Sequence, residues 1–237
     1  MVSGGGTGIG RAVAERFAAE GDEVFVLGRR AEPLERVAAA HPEGAVHAVP
    51  VDLTETDQVV KVGERLGERT VDVLVNNAGG IVREQEPGLA GAFENFRRTV
   101  ERNLLSAMML TEALWPAVRR PGGRVVNISS IAGQRGGGDA YAAAKAGIIA
   151  FGHDLAARGG GDGITVNTVS PGYVQDTEFF NAEGRSARHD RLVAQTLVGR
   201  AGTPADIASA VHFLASAEAS WITGQVLGVN GGALLGR

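Results

Sequence analysis

Two residues four positions apart, Tyr141 and Lys145 in DAYAAAKAG, carry the strongest chemical signal in the sequence. The chain has only two tyrosines, and only two of its 23 basic residues are lysines. Residues four apart lie on one face of a helix, so the ammonium of Lys145 can approach the phenol of Tyr141. We expect this ammonium to lower the phenol pKa from its ordinary value near 10, which would let Tyr141 act as a general acid or base.

A glycine-rich turn near the N-terminus indicates a dinucleotide site. In SGGGTGIGRAVAERF, residues 3–17, a glycine-rich turn with Gly4, Gly8 and Gly10 spaced as GxxxGxG lies between a short strand and a helical pattern. We expect Gly4 to turn at positive φ, Gly8 to let the backbone approach a pyrophosphate, and Gly10 to allow close helix packing. A glycine pattern alone also fits a merely flexible turn, but its position between strand and helix favours the dinucleotide interpretation.

The end of the second predicted strand indicates which nucleotide binds. A cofactor with a free ribose 2′-hydroxyl usually meets Asp or Glu about 20 residues after the glycines, whereas EVFVLG is followed by Arg29 and Arg30. Two guanidiniums suit bidentate contact with a 2′-phosphate, so the sequence favours NADP(H) over NAD(H). The alternative is that both arginines cap a solvated loop. Asp52, after the third strand, could accept from the adenine amino group or begin the next helix as a cap.

The elements that must position these residues alternate along the chain. Short runs rich in β-branched residues predict buried strands at 23–28, 45–51, 71–77, 123–130, 163–170 and 225–230. Apolar residues at helical spacing predict helices at 11–20, 57–68, 100–118, 140–158 and 204–217. This alternation predicts an α/β fold of Rossmann type, a doubly wound parallel sheet in three α/β/α layers. Ligands of such sheets bind beyond the carboxyl ends of the strands.

The composition excludes several classes of function. The 237 residues show no linker, repeat or charge block, so we expect a single domain over residues 1–237. A net charge of −4 without a basic stripe argues against a nucleic-acid partner. The absence of cysteine excludes disulfides and thiolate metal sites, and five scattered histidines give no support for a metal. No apolar run is long enough to span a membrane and no signal peptide is evident, so we expect a cytoplasmic protein.

Taken together, the motifs resemble those of the short-chain dehydrogenase/reductase family, in the same order over essentially the whole chain. The matching segments are GGGTGIG at 4–10, NNAG at 76–79, ERNLL at 101–105, NISSIAG at 127–133, YAAAK at 141–145, PGYVQDT at 171–177 and ITGQVLGVNGG at 222–232. Within the family, the chain looks closest to 3-oxoacyl-(acyl carrier protein) reductases and related ketoreductases.

The resemblance implies a site and a mechanism. Ser130 and Tyr141 would hydrogen-bond the substrate carbonyl, hydride would come from the nicotinamide, and Tyr141 would protonate the forming alkoxide. Asn103 would hold a water that relays protons to Lys145. Each of these residues taken alone also fits a structural role, as a local hydrogen-bonding or packing group. The implied cofactor-binding residues are Gly4, Gly6, Thr7, Gly8, Ile9, Gly10, Arg29, Arg30, Asp52, Leu53, Asn77, Ala78, Gly79, Tyr141, Lys145, Pro171, Gly172, Val174 and Thr177.

The resemblance also implies a substrate class and an assembly. We expect a small-molecule or acyl-thioester carbonyl substrate, covered by residues 178–199, and a homotetramer or at least a dimer. Contacts between subunits would come from residues 103–115 and 229–237. Two alternatives stay open, which are an NAD-dependent secondary alcohol dehydrogenase and a catalytically silent dinucleotide-binding sensor or scaffold.

Two features depart from the family pattern. Only 11 residues separate Ser130 from Tyr141, so we expect a tight intervening loop and an altered substrate entrance. Only Met1 and Val2 precede Ser3, so we expect a truncated first strand in the middle of the sheet, where strands typically have 5–6 residues. We also expect that the natural protein starts upstream of Met1 and that restoring upstream apolar residues would raise the melting temperature and the NADPH affinity.

Overall fold

Seven parallel strands form the sheet of this protein in a computed structural model that describes residues 1–41, 44–82, 86–177 and 185–236. The sheet order is β3-β2-β1-β4-β5-β6-β7, so the chain proceeds outward from β1 in both directions. This is the predicted doubly wound sheet. The strands are Val2–Ser3 (β1), Val24–Gly28 (β2), Val46–Pro50 (β3), Val73–Asn76 (β4), Arg124–Ile128 (β5), Thr165–Pro171 (β6) and Val226–Val229 (β7).

Helices cover both faces of the sheet and complete the three layers. The α-helices are Gly8–Ala19 (α1), Ala31–Ala39 (α2), Thr56–Leu66 (α3), Gly88–Val100 (α4), Ser106–Leu114 (α5), Ile131–Arg135 (α6), Asp139–Gly160 (α7), Arg185–Val193 (α8) and Pro204–Ala215 (α9). A π-helical turn, Glu101–Leu105, joins α4 to α5, and 3₁₀ turns occupy Trp115–Ala117 and Ala217–Ala219.

The sheet separates two hydrophobic cores. On one face, α1, α2 and α9 bury side chains such as Val13, Leu34 and Ile207 against the strands. On the other face, α3, α5 and α7 bury side chains such as Leu110 and Leu155. Each of these five side chains is at most 2% exposed, so both helix layers are fixed firmly to the sheet.

The first strand is short, as predicted, but it is paired on both sides. Val2 lies opposite Val26 of β2 and Val75 of β4, and Ser3 lies opposite Leu27. The N–H of Val75 also donates to the carbonyl of Met1, at 2.9 Å. Both edges of β1 therefore have backbone partners in the neighbouring strands.

The hydroxyl of Ser3 adds side-chain hydrogen bonds to the short ladder between β1 and β4. It donates to the carbonyl of Val75, at 3.2 Å, and accepts from the N–H groups of Asn77 and Ala78, at 2.9 and 3.0 Å. Ser3 is 1% exposed, so its hydroxyl makes these bonds away from bulk water. One side chain thus fixes the end of β4 to the end of β1.

Several helices lie where the apolar pattern did not predict them. The structure adds α2, α4, α6 and α8; of these, α2, α6 and α8 have only five to nine residues, a length at which a helical period is hard to identify in a sequence. The predicted helix at 100–118 is interrupted, because the π turn precedes α5 and a 3₁₀ turn follows it. The expected tight loop after Ser130 is mainly the helix α6, followed by glycines.

We predict that Ser3→Ala lowers the free energy of unfolding by about 1 to 3 kcal/mol, because it removes the acceptor of the N–H groups of Asn77 and Ala78. Urea denaturation at constant m-value measures the change. Ser209→Ala is the matched control, since the Ser209 hydroxyl bonds only the carbonyl of Ala205 on the exposed face of α9. Equal midpoints for the two variants would contradict this role of Ser3.

Candidate active site

A cavity of about 900 Å³ opens at the carboxyl ends of the parallel strands. This is the edge of the sheet where the fold predicts a ligand. Of the site residues predicted from the sequence, Gly10 and Asn103 do not line the cavity. Those that do line it are Gly4, Gly6, Thr7, Gly8, Ile9, Arg29, Arg30, Asp52, Leu53, Asn77, Ala78, Gly79, Ser130, Tyr141, Lys145, Pro171, Gly172, Val174 and Thr177.

The glycine turn presents the start of α1 to this cavity. Gly4 and Gly8 have φ values of +65° and +52°, which disfavour residues with side chains. Thr7 precedes the helix with extended backbone, and the first turn of α1 contains no acidic residue. The backbone N–H groups at the start of a helix lack intrahelical acceptors and lie at the positive end of its dipole. The turn is therefore suited to bind an anion such as a pyrophosphate.

Gly10 serves the packing of α1 and makes no part of the cavity wall. A Cβ at this position would lie 2.2 Å from the carbonyl oxygen of Gly4 and 2.5 Å from Nδ2 of Asn77. Any side chain would therefore push α1 away from the turn. This agrees with the packing role predicted for Gly10.

Asp52 lies in the loop that follows β3, and its carboxylate is hydrogen-bonded within that loop. Its Oδ1 accepts from the backbone N–H and the hydroxyl of Thr54, at 3.0 and 2.7 Å. Burial raises the pKa of Asp52, but the bonds from Thr54 and the charges of Arg29 and Arg102 outweigh it and hold the pKa below its usual value. The helix α3 begins at Thr56 after Glu55, so Asp52 is not its cap.

The NNAG segment shapes the middle of the cavity floor. Asn76 lies in the core and donates to Thr111 and Asn127, at 2.8 and 2.9 Å. Asn77 donates to the carbonyl of Ser3, at 2.9 Å. Because these amides hold β4 to its neighbours, the backbone of the next residues, including Gly79, is presented to the cavity.

Asn103 lies behind the NNAG segment, in the π turn. Its Oδ1 accepts from the N–H of Gly80, and its Nδ2 donates to the carbonyls of Gly80 and Thr99, each at 2.9 Å. A Cβ on Gly79 would lie 2.6 Å from Asn103 Oδ1 and 3.4 Å from Lys145 Nζ, so only glycine fits between them. The Asn103 amide thus fixes the turn beside Lys145, and a water-holding role remains a prediction.

Ser130, Tyr141 and Lys145 come together at one end of the cavity. Ser130 caps α6, its hydroxyl accepting from the N–H of Ala132 at 3.1 Å, and its side chain also hydrogen-bonds Tyr141. Lys145, only 4% exposed, donates from Nζ to the carbonyl of Ile128 at 2.9 Å. Its Nζ lies 5.8 Å from the centre of the Tyr141 ring. These groups match the constellation predicted from the sequence.

Burial controls the protonation of this pair. It raises the pKa of Tyr141 to about 12, against a smaller lowering by the bond to Ser130. It also lowers the pKa of Lys145 to about 8. The predicted lowering of the phenol pKa is therefore wrong for the protein alone. The physical reason is that Nζ lies over the ring and bonds the carbonyl of Ile128, while desolvation disfavours the charged form of both groups.

The helix α8 contributes to the cavity wall and was not predicted as an element. Tyr173 Oη lies 2.9 Å from Nδ1 of His189, and Arg135 donates to Oε1 of Gln195 at 3.0 Å. Further cavity-lining residues missed in the sequence are Arg102, Ser106, Arg188 and Leu192. Of the segment predicted to cover the substrate, residues 178–184 lie outside the described residues.

The described residues contain neither a metal-binding cluster nor a membrane-spanning helix. Within 1–41, 44–82, 86–177 and 185–236, no group of three or more His, Asp and Glu residues could hold a metal ion. None of the helices in that part of the chain is long and apolar enough to cross a membrane.

Comparisons with known proteins agree with this geometry. Residues 4–233 match the family model described as enoyl-(acyl carrier protein) reductase. The chain is 38% identical over 238 residues to the 3-oxoacyl-[acyl-carrier-protein] reductase FabG of Escherichia coli (strain K12), covering 98% of this chain and 95% of the relative. It is 37% identical over 243 residues to the acetoacetyl-CoA reductase of Rhizobium meliloti (strain 1021), covering 98% and 96%.

A solved structure is similar over nearly the same length. The crystal structure described as a short-chain dehydrogenase/reductase, glucose/ribitol dehydrogenase, from Brucella melitensis superposes with a TM-score of 0.89 at 30% sequence identity. The match covers 99% of this chain and 95% of that one.

We predict that Tyr141 ionises well above pH 10 in the protein without nucleotide, since burial raises its pKa to about 12. The chain has only two tyrosines, so an ultraviolet titration of the wild type minus that of Tyr141→Phe isolates this phenol. Circular dichroism at each pH controls for unfolding. A Tyr141 midpoint at or below pH 10 in folded protein would contradict the dominance of burial.

Proposed function

The chain belongs to the short-chain dehydrogenase/reductase family, and on that premise we propose that it is an NADP(H)-dependent ketoreductase, which reduces the 3-oxo group of an acyl thioester to a secondary alcohol. The observation that carries the proposal is the meeting of Ser130, Tyr141 and Lys145 in a cavity that also contains the glycine turn. The Escherichia coli and Rhizobium relatives are both named as reductases of 3-oxoacyl thioesters, which supports this substrate class.

The residues present fit a dinucleotide. Gly4 and Gly8 allow the turn that brings the α1 N-terminus to the cavity wall, and this terminus would hold the pyrophosphate. Arg29 and Arg30 are exposed at the end of β2 and line the cavity, so they would hold the 2′-phosphate. Asp52 offers a carboxylate acceptor to the adenine amino group. Bound NADPH would supply the hydride.

The side chains of this protein would handle the substrate oxygen and its proton. Ser130 and the phenol of Tyr141 would hold the carbonyl oxygen, where negative charge develops during reduction. Because burial keeps the phenol of Tyr141 protonated, it is ready to donate its proton to the forming alkoxide. Lys145 would then favour the resulting phenolate, since its ammonium lies beside the Tyr141 ring.

The buried lysine also accounts for the spacing of the pair. Lys145 Nζ is held on the carbonyl of Ile128, one turn of α7 away from Tyr141, and has further donors for a ribose hydroxyl. A guanidinium is larger and planar, so it could not make the same compact contacts in this buried position. The partly lowered pKa of Lys145 leaves it mostly protonated at pH 7.

The competing functions differ in what the same protein would do in the assay. An NAD-dependent alcohol dehydrogenase would show the higher kcat/KM with NAD⁺ and a secondary alcohol. A silent sensor would bind NADPH without turnover on any ketone or 3-oxoacyl thioester. The family model carries the name of an enoyl reductase, so a 2-enoyl thioester belongs in the panel; reduction of that substrate in preference to the 3-oxo thioester would overturn the ketone assignment.

We also propose that the enzyme is a homotetramer, or at least a dimer. Large apolar side chains on α4 stand in solvent in the single chain, with Leu89 87% and Phe93 66% exposed. A second group lies at the open edge of the sheet near β7, where Trp221 is 97% exposed. Exposed apolar surface of this kind is commonly covered by a partner subunit.

We predict that Tyr141→Phe lowers kcat for reduction of a 3-oxoacyl thioester by at least about a hundredfold, close to 2.7 kcal/mol in barrier height. NADPH binding should be retained, because the lost hydroxyl serves the substrate. Lys145→Arg should also be severely impaired. Steady-state rates and calorimetric NADPH affinities measure both effects.

The matched control is Tyr173→Phe, which removes the other tyrosine hydroxyl at the far wall of the cavity. It should keep a kcat within severalfold of wild type. A Tyr141→Phe rate within tenfold of wild type would refute the proton-donor role, and a near-normal Lys145→Arg rate would show that any buried cation suffices.

We predict that wild type prefers NADPH to NADH and that Arg29→Asp reverses the preference, since a carboxylate repels a 2′-phosphate and accepts from a 2′-hydroxyl. The ratio of kcat/KM values for the two nucleotides measures the change. Arg36→Asp, on the exposed face of α2 and outside the cavity wall, controls for net charge. An unchanged ratio in Arg29→Asp would remove Arg29 from the phosphate site.

A further inference from the structure

Arg102 is a cavity-lining cation outside the proposed 2′-phosphate site. Arg102 lies in the π turn, immediately before Asn103, and is half-buried in the cavity wall. The π turn directs these neighbours differently, since Asn103 is buried against Gly80 while Arg102 lines the cavity. One turn further along, Ser106 lines the same wall and donates to the carbonyl of Arg102, at 2.9 Å.

Arg102 lies on the other side of the sheet from Arg29 and Arg30, although all three line the cavity. Those two arginines lead into α2, which packs on the face of the sheet that buries Leu34. Arg102 leads into α5, which packs beside α3 on the other face, and the hydroxyl of Thr56 at the start of α3 contacts Sδ of Met109, at 3.7 Å. The wall that holds Arg102 is therefore adjacent to the loop that holds Asp52.

Asp52 and Arg102 have complementary hydrogen-bonding capacity. Asp52 uses Oδ1 for Thr54, and Oδ2 bonds no residue within the described ranges, so it offers an acceptor to a ligand. A guanidinium only donates. The edge of adenine presents an amino donor next to ring-nitrogen acceptors, which is the pattern that a carboxylate and a guanidinium match together.

We propose that Arg102 is a specificity-determining residue for the base of the nucleotide, donating to a ring nitrogen of adenine while the carboxylate of Asp52 accepts from its amino group. The inference rests on the proposed use of a nicotinamide adenine dinucleotide. It assigns the two sets of arginines different tasks. Arg29 and Arg30 select the 2′-phosphate, whereas Arg102 recognises a group that NADPH, NADH and ADP share.

The test is calorimetric binding of NADPH, NADH and ADP to the whole protein, with no substrate present. Arg102→Met keeps most of the apolar stem and removes the donors, and we expect it to weaken all three nucleotides by the same factor, about tenfold. Arg102→Gln, which keeps a neutral donor, should recover part of the loss. Arg29→Ala should weaken NADPH alone.

Each remaining outcome counts against the proposal. If Arg102→Met weakens the binding of NADPH alone, Arg102 contacts the 2′-phosphate. If all three affinities are unchanged, Arg102 only interacts electrostatically with Asp52. Arg97→Ala is the control, since Arg97 is exposed just before the π turn and does not line the cavity. Because binding needs no turnover, a failed reductase assay with intact wild-type binding would leave this test valid; absence of nucleotide binding by wild type would overturn both proposals.

Discussion

The close contact between the ends of β1 and β4 is the constraint on which the rest of the site depends. With only two residues in β1, the sheet cannot rely on a long ladder of backbone bonds at its centre. The contact is made instead by the Ser3 hydroxyl and the Asn77 amide, with Gly10 allowing α1 to lie directly on the turn. The glycine turn and the NNAG segment form adjacent parts of the cavity wall because this contact holds them together.

The reacting groups depend on burial as much as on their partners. Tyr141 and Lys145 are placed one turn apart on α7, but desolvation shifts their pKa values in opposite directions, raising that of Tyr141 to about 12 and lowering that of Lys145 to about 8. In the protein without nucleotide, desolvation therefore favours the neutral forms of the Tyr141 phenol and the Lys145 amine. In the proposed function, a protonated phenol is the form that must be present when reduction begins.

The sequence predicted the parts of the molecule whose signals are local. The glycine turn needs positive φ and close approach, and YAAAK needs one helical turn, so the spacing of these residues predicted both. Short runs of β-branched residues predicted six of the strands. The π turn and α8 were not, since a π turn has no apolar period and α8 is short and polar. Arg102 escaped notice because only the fold brings α5 beside the loop of Asp52. The pKa of Tyr141 is raised, whereas the sequence predicted a lowered value, because burial is a property of the packed structure.

The π turn makes this stretch of chain sensitive to length. Each residue advances an α-helix by about 100°, so one inserted or deleted residue between Thr99 and Ser106 would rotate everything that follows by that angle. Leu110 and Leu114, both fully buried, would then leave the core, while the Asn103 amide would lose Gly80. Substitutions that keep the number of residues leave the backbone phase intact. The number of residues in this segment therefore fixes the orientation of α5 in the core relative to the cavity wall.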